Sequence, residues 1–177
     1  MKLLLHCCCG PCSLAVIDKL QEDTAISELA AYFFNPNIHP YREYRARREA
    51  WRQALENYNL PAYLDDSYPL EAWLQNVAAT PEQRCDYCYQ NRLWQIAQKT
   101  KELNYDAFTT TLLISPYQNH QQISEFAEQI AVENGLIFYY QDFRPDFRAG
   151  QQIALEMGLY KQKYCGCIYS EKARFHK

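Results

Sequence analysis

The chain has 177 residues, 48% of them hydrophobic and 22% charged, with a net charge of −3. These values describe one globular domain over 1–177 with room for a proper core, and they exclude a disordered chain or a membrane span. The slightly acidic balance excludes a global basic field, so contact with nucleic acid needs a local cationic patch.

The apolar run Met1–Leu5 is too short for a signal-peptide core and no small-residue cleavage site follows in register, which predicts a cytoplasmic protein without a membrane partner. Lys2–His6 reads as a buried parallel strand, and Gly10-Pro11 as the turn into a first helix whose inner side carries Leu14, Ile17 and Leu20. Cysteines 7, 8, 9 and 12 therefore fall between a strand's carboxyl end and a helix N-terminus, the edge where open α/β sheets bind ligands. Leu29–Phe34 predicts the next strand. Tyr41–Tyr58 predicts a long helix with a core stripe of Tyr44, Trp51, Leu55 and Tyr58.

A second stripe on that helix holds Arg45, Arg48 and Arg52, with Arg42 and Arg47 beside it. Spacing alone favours a solvated surface with Arg45–Glu49 and Arg52–Glu56 pairs; the competing reading is a phosphate-contacting ridge interleaved with Tyr41 and Tyr44. Further along, Ala62–Leu64 reads as a short strand, a helix passes through Trp73 and Leu74, and Thr80-Pro81 starts another helix running to Leu103. Ala107–Ile114 is rich in β-branched residues and predicts a strand ending at Ser115-Pro116, beyond which Tyr117, Gln118, Asn119 and His120 reach the same edge. A helix carrying Ile123, Phe126, Ala127 and Ile130, a strand over Leu136–Tyr140 and a helix over Gly150–Leu159 follow, and Glu171–Lys177 reads as a loose basic tail. Alternating strands and helices predict an α/β fold, a Rossmann-like parallel sheet flanked by helices with the site at the strand carboxyl ends.

Eight cysteines in a reducing compartment argue for metal or redox chemistry over a disulfide framework. Three segments supply them: His6-Cys7-Cys8-Cys9-Gly10-Pro11-Cys12, Cys85-Asp86-Tyr87-Cys88 and Cys165-Gly166-Cys167. Cys85 and Cys88, one helical turn apart, suit two ligands of one centre. Four thiolates from Cys8, Cys9, Cys85 and Cys88 would match a [4Fe–4S] cluster, and tetrahedral zinc is the alternative. Cys165 and Cys167 flank a glycine, which suits either a strained, labile disulfide or further metal ligands. His6 reads as a hydrogen-bonded neighbour of the centre, and Asp86 and His120 as candidate proton donors.

The segments LLHCCCGPCS, RCDYCYQNRL, TTLLISPYQN and YKQKYCGCIYS, in this order from Leu4 to Ser170, resemble the epoxyqueuosine reductase family of the QueH type. The resemblance implies reductive removal of the epoxide oxygen from a modified wobble nucleoside of tRNA, giving queuosine, with electrons from a separate donor. It implies a [4Fe–4S] cluster on Cys8, Cys9, Cys85 and Cys88, and a redox-active pair or an additional iron at Cys165 and Cys167. Cys12 matches a position with no assigned role, and Cys7 one where the family does not require cysteine. The resemblance also raises the weight on Arg45, Arg48, Arg52, Tyr117, Lys161 and Lys163 as tRNA contacts. Two other classes compete with this reading: a zinc-stabilised RNA-binding module and a thiol–disulfide oxidoreductase built on Cys165 and Cys167.

Overall fold

Leu3, Leu4 and Leu5 are apolar in succession, so a strand made from them must be covered on both sides. They form the middle of β1 (Lys2–Cys7) and are fully buried. The computed structural model of the protein describes residues 1–176. Its other strands are β2 (Glu28–Phe33), β3 (Ala62–Leu64), β4 (Ala107–Thr110) and β5 (Ile137–Phe138). All pair in parallel, in the order β3-β2-β1-β4-β5, with Leu4 in register with Ala30 on one side and Phe108 on the other. The expected Rossmann-like α/β architecture is the observed one. The direction of winding reverses between β1 and β4, which makes their carboxyl ends the natural ligand crevice.

The helices are α1 (Gly10–Gln21), α2 (Tyr41–Leu55), α3 (Leu70–Val77), α4 (Arg84–Glu102), α5 (His120–Asn134), α6 (Phe147–Glu156) and α7 (Ile168–Phe175). Helix α1 packs on α2 and α6, while α4 packs on α5. The contact between α1 and α2 is very close: a Cβ at Gly10 would lie 2.5 Å from the Ala50 carbonyl oxygen. Among the described residues no helix is long and apolar enough to cross a membrane.

The chain departs from expectation at three places. The β-branched run Ala107–Ile114 stays a strand only to Thr110, and Thr111–Ile114 form a 3₁₀ turn. Side chains explain the break, because the Thr110 hydroxyl accepts the Leu112 N–H at 3.2 Å and offers the backbone an alternative to the ladder. The strand expected over Leu136–Tyr140 shrinks to Ile137–Phe138 at the sheet edge. The tail expected to be loose is helical as α7, capped by the Cys167 sulfur, which accepts the Ser170 N–H at 3.4 Å. Lys177 of that tail lies outside the described residues.

Candidate active site

The extended backbone of β1 ends at Cys7, and α1 begins immediately beyond Cys9. Cys9 is the N-cap of α1, with φ −169° and ψ 168°, and Cys12 is the third residue of the helix. An N-cap side chain and the side chain three residues later meet over the first turn, as in a capping box. The sulfurs of Cys8, Cys9 and Cys12 accordingly all lie within 4.8 Å of one another, those of Cys8 and Cys9 at 3.8 Å. Cys12, which sequence reasoning left without a role, is thus part of the first thiol group; the signal was the C-x-x-C spacing from Cys9 across a helix start.

Neighbouring polar groups hold this cluster in place. The Cys8 N–H donates to Thr111 Oγ1 at 2.9 Å, Ser13 Oγ donates to the Cys9 carbonyl at 2.7 Å, and Gln162 Nε2 donates to the Cys9 sulfur at 3.2 Å. His6 is fully buried between Thr110 Oγ1 at 2.9 Å and the Phe34 carbonyl at 3.0 Å. The carbonyl can only accept, so Nε2 carries the proton and Nδ1 accepts from Thr110. Burial depresses the His6 pKa to about 4, so the ring is neutral and structural. Hydrogen bonds from Cys12 and then Cys9 hold the Cys8 thiol well below its usual range. The same contacts with Cys8 push Cys12 well above it, and burial pushes Cys9 up. One negative charge is easily placed on this trio and further charges are resisted. A thiophilic cation removes that resistance, so the donor set fits zinc or iron.

The second thiol group forms where α4 meets the C-terminal segment. Cys88 is buried against Trp73, Val77 and Cys167, and burial pushes its thiol up to about 12. Burial also raises Cys85, whose charge is felt from Cys165 and Cys167. Cys165 is exposed and Cys167 buried; like the other cysteines they are free thiols, so of the two readings left open for the pair the strained disulfide is not formed. Gly166 has φ +150°, a conformation side chains rarely adopt, and a Cβ there would meet Asn37 and Arg47 at 3.1 and 3.3 Å. The segment is tied down by Arg47, which is 3% exposed and sits on the inner stripe of α2. Its guanidinium donates to the carbonyls of Cys165 at 2.8 Å and Tyr164 at 2.9 Å, and to Glu43 at 2.7 Å. The His39 N–H adds a bond to the Gly166 carbonyl at 2.8 Å.

A cavity of about 530 Å³ is lined by Cys8 and Cys12 of the first group and by Cys165 of the second, but not by Cys85 or Cys88. Tyr117, Lys161 and Lys163 line it as well, whereas Asp86, His120, Arg45, Arg48 and Arg52 do not. His120 instead faces Tyr140 at 3.2 Å. On α2 the expected Arg45–Glu49 and Arg52–Glu56 pairs are replaced: Arg52 binds Glu49 at 3.3 Å, and Arg48 binds Glu49 and Asp66 at 2.7 Å each. Sequence reasoning missed Arg92, Arg174 and Asn35 in the lining, whereas Gln118 was expected at this edge. Gln118 donates to the Cys165 sulfur at 3.5 Å. Among the described residues no carboxylate lines the cavity, yet five cationic side chains do.

A family model described as epoxyqueuosine reductase QueH matches residues 3–173. The chain belongs to the epoxyqueuosine reductase QueH family. The epoxyqueuosine reductase QueH of Dehalococcoides mccartyi is 38% identical over 176 residues, covering 99% of this chain and 96% of that one. The Acinetobacter baylyi relative of the same name is 33% identical, covering 96% and 80% of the two chains. That of Thermotoga maritima is 29% identical, covering 99% and 93%. Coverage of this extent places all three thiol segments of the QueH chain inside the matched region.

Proposed function

We propose that the protein is an oxidoreductase that removes the epoxide oxygen of epoxyqueuosine at the wobble position of tRNA, leaving queuosine. Both C–O bonds break, a carbon–carbon double bond forms, and the oxygen leaves as water. The balance requires two electrons from an external donor and two protons. The observation that carries this reading is that thiols from the chain's beginning and end, Cys8, Cys12 and Cys165, share one cationic cavity that no carboxylate of the described residues lines, with Cys88 packed against Cys167 beside it.

Cys8, Cys9, Cys85 and Cys88 are the residues that would hold a [4Fe–4S] cluster, with Cys12 as a neighbouring donor. Such a cluster would supply single electrons and, at an iron with an open position, Lewis acidity toward the epoxide oxygen. Cys165 and Cys167 serve as the second redox element, as a dithiol or as ligands of an additional iron. The chain's other residues bind and orient. Tyr117, 86% exposed and edge-on to Phe147 with ring centroids 6.0 Å apart, stands at the cavity as a stacking surface for a base turned out of the anticodon loop. Lys161 and Lys163 are exposed beside it and meet the phosphates. The bulk of the chain is acidic, so these cations are the local patch that tRNA binding needs.

Anaerobically purified protein is expected to be brown, to carry about four irons per chain and to convert epoxyqueuosine-containing tRNA in the presence of a low-potential reductant. Cys85→Ala or Cys88→Ala is expected to remove the colour and the conversion together. A colourless zinc protein with full activity would overturn the proposal.

A further inference from the structure

Among the described residues, Arg92 is a buried cation with no carboxylate partner. It is 4% exposed, on the inner side of α4, one turn beyond Cys88. Its Nε donates to the Cys88 carbonyl at 3.0 Å, an intrahelical contact that uses one of the five guanidinium donors. Among the described residues no Asp or Glu forms an ion pair with it, and none lines the cavity it faces. Arg47, equally buried, shows what a satisfied guanidinium looks like in this molecule, with Glu43 and two carbonyls on its fork. An unpaired buried charge is costly, so an Arg at such a position calls for an anionic partner other than a carboxylate of this chain.

The position of Arg92 identifies that anion. Its guanidinium is hydrogen-bonded to the Cys88 carbonyl and shares the cavity lining with Cys8, Cys12 and Cys165. Arg92 therefore adjoins members of both thiol groups. The exposed cations of the cavity, Lys161, Lys163 and Arg174, occupy positions that water and a polynucleotide backbone can reach; Arg92 does not. We infer that Arg92 is the fixed counter-charge of a metal–thiolate centre spanning the two cysteine groups, and that it raises the reduction potential of that centre. Thiolate ligands give iron centres net negative charge and reduction adds one more, so a fixed cation in a dry site stabilises the reduced form. The inference rests on the functional reading above and adds to it a residue outside the ligand set.

The test is a redox titration of the anaerobically reconstituted full chain, followed by absorbance and electron paramagnetic resonance, with Arg92→Gln and Arg92→Lys beside the wild type. Arg92→Gln is expected to move the one-electron equilibrium at least tenfold toward the oxidised form, a fall of about 59 mV, and Arg92→Lys to stay within about threefold of wild type. If Arg92→Gln does not fold, as judged by circular dichroism, Arg92→Lys decides: a near-wild-type potential supports the role, and a tenfold fall overturns it. An unchanged potential in Arg92→Gln, or equal falls in both variants, also overturns it. So does an unchanged potential accompanied by weaker tRNA binding with a shallower salt slope, which assigns Arg92 to a phosphate instead. A wild type that loads no iron defeats the functional reading and the inference with it; a loaded wild type with unmoved variants defeats the inference alone.

Discussion

Cys7 and Cys12 belong to one sequence cluster but have opposite surroundings. The Cys7 sulfur points into the core toward the Leu5 carbonyl at 3.7 Å, and burial pushes its thiol up to about 12. Cys12 lies over the helix start, in contact with Cys8 and Cys9. Cys7→Ala is therefore expected to leave the iron content unchanged and to cost about 1 kcal/mol of stability, read from urea denaturation. Cys12→Ala is expected to speed the loss of metal to a chelator by roughly tenfold or more, within the range seen when groups supporting a metal site are removed. At this scale the sequence makes the thiol segments legible at once, since few fates suit so many cysteines so closely placed. Which of them meet is not legible, because it depends on a helix whose first turn brings Cys12 back over Cys9. Arg92 was hidden for another reason: nothing in a sequence tells an arginine on a helix with a satisfied fork from one without.

Helix α2 shows how far periodicity reaches at the scale of an element. Its stripe of Tyr44, Trp51 and Leu55 is buried as the spacing predicts. Arg47 falls in the same stripe, and an arginine at a core position demands partners, here the carbonyls that precede Gly166. The outer arginines could not be assigned from spacing, since Arg48 pairs with Asp66 across a loop as well as with its neighbour Glu49. The same helix constrains the thiol loop through Gly10. A methyl group there would meet Ala50 backbone atoms at 2.5 and 2.7 Å, and backbone cannot yield as a side chain tip does. Gly10→Ala is expected to destabilise the protein by about 3 kcal/mol and to displace the start of α1, so that thermal midpoint and iron retention fall together. A variant with both properties of wild type would show that the α1–α2 contact is looser than described.

For the molecule as a whole, the alternation of strand and helix signals was enough to fix a parallel sheet with its ligand edge at the strand carboxyl ends. Strand lengths were overestimated where threonine side chains or an edge position took backbone groups out of the ladder, at Thr110 and after Phe138. Stability carries a pH signature from two neutral histidines. Burial depresses the pKa of both His6 and His39 from 6.5 to about 4. An unfolded chain takes up these protons below its ordinary histidine pKa and the folded chain does not. The stabilisation is thus complete above about pH 6.5 and is lost as the pH falls toward 4, by up to roughly 3 kcal/mol per residue. Urea midpoints measured between pH 7 and 4.5 are expected to fall accordingly, and His39→Phe, facing Trp73 at a centroid distance of 4.7 Å, to flatten part of that slope. A slope unchanged by the substitution would assign it elsewhere.

The central place of β1 bears on the order in which the protein is made. Its cysteine-bearing end is made well before the strand that closes its second side: β4 begins 100 residues after Cys7, and the Gln162 bond to Cys9 spans 153 residues. For most of synthesis, then, the four neighbouring thiols are open to solvent, oxidants and stray metal ions. The packing around Cys9 is complete only once the Gln162 segment has been made and has docked on it.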